Sequence, residues 1–520
     1  MDYVETLDTT LRDGAQTRGI TFSLQEKLRV IERLDELGVD VIEAGWPGSN
    51  PKDAGLFRAL RGVSLKNSRI AAFCSTRRKG IRADEDPSLN EVVESEVPVA
   101  VVFGKSWTLH VSEVLRCTPE ENLEMVSETV EYLRDHGTEV VFDAEHFFDG
   151  WKESPEYAMS VLRAAADAGA RTLTLCDTNG GSMPWEVERA VEEVRGRLPD
   201  AHIGIHAHND AGCAVANTLV AVRSGARHVQ GTLLGVGERC GNADLCQVLP
   251  NVAYKMGLSV LKGRTEALRR LTRVSRSVAD LLNLRIADNH PYVGRNAFAH
   301  KAGVHVDAVL KVTRAYEHLD PSAVGNERSF SVSELSGRST VRYVASRVGI
   351  RLAEEQVTAV LEEVKRLESL GYHLEGAEAT VELLLLRAAG LFREGFRVVE
   401  WSVEVEGPEG PSARSSVAIE VDGRVHRASS EGVGPVHALD GAIRSALLSC
   451  FPELEGVGLT DYKVSVVDGF EGTAAPVRVI VEFSGNGSAW RTTSVSRNVI
   501  EASLAAISDG YRYALQANRK

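Results

Sequence analysis

Four absences bound what this chain does. No run of about twenty apolar residues occurs in the 520-residue sequence, which argues against a membrane-spanning helix. The opening Met1-Asp2-Tyr3-Val4-Glu5-Thr6-Leu7-Asp8 carries early acids and no long apolar run, unlike a secretory signal. The seven cysteines (Cys74, Cys117, Cys176, Cys213, Cys240, Cys246 and Cys450) show no paired-motif spacing, so free thiols in a reducing cytoplasm are expected. Basic residues are outnumbered, 59 Lys and Arg against 73 Asp and Glu for a net charge of -14. That balance argues against general nucleic-acid binding and leaves room only for a local basic pocket for an anionic ligand.

What is present is a soluble, globular composition, 43% hydrophobic and 25% charged, on a chain long enough for two or three domains. Short β-branched runs alternate with longer amphipathic ones. Strands are expected near residues 3–8, 39–44, 70–74, 99–103, 140–145, 172–177, 203–208 and 228–233. Capping boxes at Ser23 with Glu26 and at Thr118 with Glu121 open two of the intervening helices. About eight βα units in about 250 residues is the measure of a TIM (β/α)8 barrel, placed here at residues 1–258. Residues 259–395 read as a mostly helical subdomain. Residues 396–520 change character, with strands joined by Gly-rich turns in an approximate βββα repeat, as expected of a separate α+β domain.

In such barrels the chemistry sits at the C-terminal ends of the strands, where Arg12, Asp13, Glu43, Arg77, Glu145, Asp177, Thr178, His206, His208, Glu238 and Asn242 gather. Side chains two apart on a strand face the same way, so His206 and His208 can bite one cation, with Asp13 as the third ligand. Two strand histidines are equally compatible with satisfied core groups. A His2Asp set leaves coordination positions open, a catalytic pattern that suits Zn2+, Mn2+ or Mg2+. Arg12 is placed to hold an oxygen as it gains negative charge; the alternative is an Arg12–Glu43 ion pair bracing the barrel mouth. Glu145 is a candidate proton-transfer group and Thr178 a hydroxyl donor to a substrate carboxylate. Residues 234–242 (LGVGERCGN) lack the βαβ context of a dinucleotide fingerprint and read instead as a glycine-lined loop where backbone approaches a ligand closely. Arg77-Arg78-Lys79 either meets an anionic cofactor or forms a solvated basic face.

Three signatures carry a resemblance: residues 8–16 (DTTLRDGAQ), residues 206–210 (HAHND) and residues 235–243 (GVGERCGNA). Together the chain resembles the acyl-CoA-dependent Claisen-condensing metal enzymes that include isopropylmalate, homocitrate and citramalate synthases. Within that family residues 43–53 (EAGWPGSNPKD) look most like citramalate synthases, since isopropylmalate synthases usually carry Phe where Trp46 stands. The resemblance implies condensation of pyruvate with acetyl-CoA, giving citramalate and CoA on the route to isoleucine. It implies Asp13, His206, His208 and Asn242 around a divalent ion, and Arg12, Asp13, Gln16 and Thr178 on the 2-oxo acid. Arg12, Glu43 and Glu145 act in catalysis, and Gly235, Gly237, Glu238 and Arg239 lie on the acetyl-CoA side. It further implies that the helical subdomain covers the site and brings His305 and Tyr316, with His305 deprotonating the thioester methyl group. The C-terminal repeat resembles the family's regulatory dimer domain, from which a homodimer with isoleucine as feedback effector is expected. Residues 432–436 (GVGPV), ahead of a helix N-terminus, are the expected carboxylate site.

Three rivals remain at this level. A 2-isopropylmalate synthase acting on 2-oxoisovalerate differs by the volume of one pocket. A hydroxy-acyl-CoA lyase shares the barrel but has no need of the C-terminal repeat. A non-catalytic amino-acid sensor has no need of intact Arg12, Asp13, His206 and His208.

Overall fold

Strands rich in Val, Ile and Ala, apolar toward both faces, are suited to a parallel sheet covered by helices. In the computed structural model, which describes residues 2–407, 412–485 and 487–517, they are β1 Glu5–Asp8, β2 Val41–Gly45, β3 Arg69–Ser75, β4 Val99–Lys105, β5 Glu139–Glu145, β6 Thr172–Asp177, β7 His202–Ala207 and β8 His228–Gly231. They form a closed barrel in chain order, sealed where β1 pairs in parallel with β8 from Glu5 opposite His228 to Asp8 opposite Gly231. The Ser23–Glu26 capping box is formed in full at the start of helix Leu24–Leu37, which ends on Gly38 at φ +94°. The second expected box is half formed. The Thr118 hydroxyl accepts from Glu121 N at 3.1 Å, while the Glu121 carboxylate turns toward Lys79 at 3.8 Å.

The floor of the barrel is tied by charge. Glu5 meets Arg171 at 2.8 Å, His228 at 2.9 Å and Arg69 at 3.2 Å. Burial alone would raise the Glu5 carboxyl, but His228 and Arg171 outweigh it and hold the group well below the usual carboxylate range.

The chain falls into two compact units, residues 1–298 with 319–328, and residues 299–318 with 329–520. Leu261, Leu268, Leu271, Val274 and Val278 belong to the same core as the barrel's helices. In the second unit, helices Arg338–Arg347, Glu354–Ser369 and Glu378–Ala388 enclose Val341, Val357, Val360 and Val364. The βββα repeat follows. Strands Arg397–Glu406, Ser412–Val421 and Arg424–Gly432 precede helix Pro435–Leu448; Gly458–Val466, Val477–Gly485 and Ser488–Ser496 precede helix Val499–Ala517. Each set of three strands is an antiparallel sheet. Asp422 and Gly423, at φ +47° and +77°, make the two-residue turn that an Asp-Gly pair favours between strands. Among the described residues no helix is long and apolar enough to cross a membrane.

Candidate active site

The period of two on β7 sends the His206 ring into the barrel mouth, and His208 follows just past the strand's end with its ring 5.2 Å away. One strand beyond β8, Asp13 lies just past β1 and stands at the start of the short turn Gly14–Gln16. His206 Nε2, His208 Nε2 and Asp13 Oδ2 make a triangle with edges of 3.2, 3.4 and 3.7 Å, and all three residues are buried. Donors about 2.0–2.2 Å from one divalent ion stand roughly 3–3.5 Å from each other, so the triangle has the size of one face of a coordination shell.

Asn242 completes the group. Its Nδ2 lies 3.2 Å from Asp13 Oδ2 and 3.1 Å from His206 Nε2. Asp13 Oδ1 and Asn242 Oδ1 are buried without a hydrogen-bond partner among the described residues, which is unusual for such atoms. A half-turn of the Asn242 amide brings its oxygen onto the triangle as a fourth donor. The chemistry and spacing of this set fit a divalent cation.

The local charges agree with that use. Burial disfavours the Asp13 carboxylate, yet Arg12 and His206 hold it well below the usual range. Burial and the neighbouring His206 push His208 down to about 4, so near neutral pH its ring is uncharged, the form able to bind a cation. His206 is raised, since its hydrogen bond to Asp13 and the Asp13 charge overcome burial; a bound cation competes with that proton.

Arg12 organises the other wall. Its Nε donates to Glu43 Oε2 at 2.7 Å, its Nη1 meets Asp13 Oδ2 at 3.0 Å, and its guanidinium lies 3.9 Å over the Phe73 ring. Glu43, fully buried, also accepts from the Thr9 hydroxyl. The Arg12–Glu43 ion pair anticipated as a brace is therefore real, and it aims the guanidinium at the cavity. That cavity, about 820 Å3, is lined by Arg12, Asp13, Gln16, Glu145, Thr178, His206, His208 and Glu238. Trp46, Phe73 and Phe103 close one side: Phe73 and Phe103 stack at 5.1 Å, and Trp46 stands edge-on to them at 5.6 and 5.8 Å.

Thr178 is polarised by its neighbour. Its Oγ accepts from His146 N at 2.9 Å, an approach set by the left-handed backbone of His146 at φ +58°. With one lone pair so engaged, the hydroxyl proton is free to be donated to a ligand. Glu145 also faces the cavity, held by a short ion pair with Lys105.

Several other expected residues also make contacts within their own loops. Arg239 makes a two-pronged pair with Asp210 at 2.8 and 3.0 Å and donates to Thr178 O at 2.7 Å; Glu238 pairs with Arg239 at 3.1 Å. The glycines answer to packing within their own loop, where a Cβ on Gly237 would sit 1.8 Å from Asn242 Oδ1. Gly235, at φ +66°, puts its carbonyl where a Cβ on Gly241 would fall, at 1.9 Å. Arg77 is neither a cofactor group nor a solvated face but a buried partner of Glu128. Asp177 accepts from Ser182 N and Oγ. His305 and Tyr316 belong to the second unit, where their rings stack at 4.2 Å.

Three features went unread in the sequence: the Phe73 and Phe103 wall, the buried carboxylate of Asp143, and Gln230. The last two had a signal: Asp143 interrupts the apolar interior of β5, and Gln230 alternates with His228 on β8.

A family model described as HMGL-like matches residues 3–278. The chain belongs to the HMGL-like family. Behind this HMGL-like barrel, residues 292–371 match a homocitrate synthase post-HMGL domain-like model and residues 375–515 a LeuA allosteric (dimerisation) domain. The chain is 48% identical to the (R)-citramalate synthase of Sulfolobus acidocaldarius, over 99% of this chain and 97% of that one. It is 45% identical to the (R)-citramalate synthase of Aquifex aeolicus, over 99% and 98%. Identity to the 2-isopropylmalate synthase of Nitratidesulfovibrio vulgaris is lower, 32% over 97% and 95%.

Proposed function

We propose that this chain is a citramalate synthase, condensing acetyl-CoA with pyruvate to give citramalate and free CoA. The observation that carries the proposal is the Asp13–His206–His208 triangle beside Arg12, in a cavity whose other side is the Trp46–Phe73–Phe103 wall. The full-length identity to (R)-citramalate synthases supports the choice of product over isopropylmalate.

Asp13, His206, His208 and Asn242 would hold a divalent cation, Mn2+, Mg2+ or Zn2+, which when bound supplies Lewis acidity to a 2-oxo acid's keto and carboxylate oxygens. Thr178 donates its hydroxyl proton to the pyruvate carboxylate. Gln16, on the cavity rim, is assigned to the same substrate, and the methyl group of pyruvate packs against the aromatic wall. Arg12, with Nε and Nη1 engaged by Glu43 and Asp13, offers Nη2 to the keto oxygen as it becomes an alkoxide. Glu43 fixes that guanidinium through its ion pair and so keeps the donor preorganised. His305, with Tyr316 stacked on it, is assigned to removing a proton from the thioester methyl. The resulting carbanion attacks the keto carbon, and Glu145 is assigned to the proton that the new alkoxide takes up. Water then cleaves the citramalyl thioester, releasing CoA and the acid. The loop from Gly235 and Gly237 to Glu238 and Arg239 is assigned to the acetyl-CoA side.

The match to an allosteric dimerisation domain supports a homodimer regulated by a small molecule, for which isoleucine, the amino acid downstream of citramalate, is the proposed effector. Its carboxylate is assigned to residues 432–436, and the setting to the cytoplasm. Retention of full isoleucine sensitivity by a chain truncated after Phe392 would overturn the regulatory part.

The test of the activity is initial-rate CoA release, trapped with a thiol reagent, from acetyl-CoA with pyruvate, 2-oxoisovalerate or 2-oxoglutarate, with and without Mn2+. Pyruvate is expected to win and a chelator to stop the reaction. Preference for 2-oxoisovalerate would make this a 2-isopropylmalate synthase, and no release with any acceptor would point to a lyase or a sensor.

A further inference from the structure

His206 can offer the Nε2 lone pair to a cation only while its proton sits on Nδ1. Nδ1 lies 2.8 Å from Gln230 Oε1, on the neighbouring strand, where β7 and β8 set the two residues side by side. An amide oxygen has no proton to give, so in this orientation Gln230 holds the useful tautomer. The reversed amide would present two N–H groups, force Nδ1 to accept, and move the ring proton onto Nε2, where it blocks the ligand position.

What surrounds the other end of the amide decides between these orientations. Gln230 Nε2 stands 2.7 Å from Asp143 Oδ1, 3.2 Å from Thr174 Oγ1 and 3.5 Å from His228 Nε2. The Asp143 carboxylate only accepts. His228 Nε2, at 3.5 Å, reaches only the edge of hydrogen-bond distance, and its Nδ1 is engaged with Glu5 Oε2 at 2.9 Å. Acceptors thus collect at one end of the amide, and a donor, His206 Nδ1, stands at the other. All of these residues are buried, where an amide turned against its partners is costly.

We propose that Gln230, locked by Asp143, is the positioning residue that keeps His206 in its cation-binding tautomer and thereby sets the site's affinity for a divalent ion. Gln230 touches neither substrate nor ion. The inference rests on reading His206 as a ligand, so its test includes a control for that reading.

The experiment is titration of the full-length, chelator-stripped protein with Mn2+ by calorimetry, alongside thermal melts without metal. Gln230→Leu removes the acceptor and is expected to weaken Mn2+ binding roughly 10- to 100-fold. Gln230→Glu alone sets a carboxylate against Asp143 and is expected to weaken it as well. The double variant Asp143→Asn/Gln230→Glu exchanges the two groups: the new carboxylate accepts from His206 and from the new amide, and affinity is expected to return near that of the unaltered protein. A residue that only fills space would lower the melting temperature in Gln230→Leu, leave Mn2+ affinity alone, and show no rescue. Unchanged Mn2+ affinity in Gln230→Leu, with loss in Asp13→Asn, would overturn this proposal and leave the cation site standing. Failure of the unaltered protein to bind Mn2+ would overturn both. If Gln230→Leu does not fold, absence of rescue in the double variant overturns the proposal by itself.

Discussion

Phe103→Ala should widen the range of 2-oxo acids that the cavity accepts. The Phe103 ring stacks on Phe73 at 5.1 Å and meets the edge of Trp46 at 5.8 Å, so deleting it opens one side of the aromatic wall without touching Asp13, Arg12 or the histidines. 2-Oxoisovalerate carries two more carbons than pyruvate. In an apolar pocket each methylene-sized difference is worth about 1–3 kcal/mol, or about 10- to 200-fold. Room for one of those carbons should therefore raise the ratio of kcat/KM for 2-oxoisovalerate over pyruvate by about 10- to 200-fold. Phe→Ala at a fully buried site costs about 3–5 kcal/mol of stability; Phe103 is half-buried, which lowers the cost, and a melt checks that the variant is folded. The assay is initial-rate CoA release with each acid at several concentrations. An unmoved ratio in a folded variant refutes the wall as the gauge of acceptor size. An equal fall for both acids would mean that the ring acts instead through Phe73, which supports the Arg12 guanidinium at 3.9 Å.

Asp13→Asn should abolish CoA release while leaving the far-UV circular dichroism unchanged, because it removes a charge from the donor triangle and not a packing group; wild-type-like release sinks the assignment. Thr178→Val should raise the KM for the 2-oxo acid by about 10- to 100-fold, the worth of a hydrogen bond to a charged group at about 1.5–3 kcal/mol, and Thr178→Ser should restore it. Glu5 titrates lower in the folded protein than in the unfolded chain because of His228 and Arg171. Its contribution is therefore present above an unfolded pKa of about 4.3 and lost as pH falls through the lower folded value. The gap in melting temperature between the wild type and Glu5→Gln should be widest above about pH 5 and narrow below about pH 4, and a gap that widens on acidification would contradict the floor network.

The barrel was legible because each stave is a short β-branched run set off by turns, and β6, Thr172–Asp177, falls at the expected residues. The cation triangle was legible for the same reason: a period of two on β7 is a local property, and so is a carboxylate just past an apolar strand. What escaped depends on partners that only the closed sheet brings together. Nothing local announces the Asp210 partner of Arg239, and Arg77 reads as a surface charge until helix Pro119–Asp135 brings Glu128 against it. Phe73 and Phe103 are ordinary strand residues until β3 and β4 lie side by side.

The least legible feature is also the one that links stability to the site. Barrel interiors of this kind are usually filled by branched apolar side chains. Here β8 turns His228 and Gln230 inward while Val229 joins the helix-facing core. A buried polar line results, from Glu5 on the floor through His228 and Gln230 to His206 at the mouth. Such a line survives burial only if its members stay hydrogen-bonded, since each orphaned group costs about 1–3 kcal/mol. The floor ion pairs and the Gln230–His206 contact are then parts of one buried polar line, which explains why polar residues stand in strands that β-propensity alone would fill with valine.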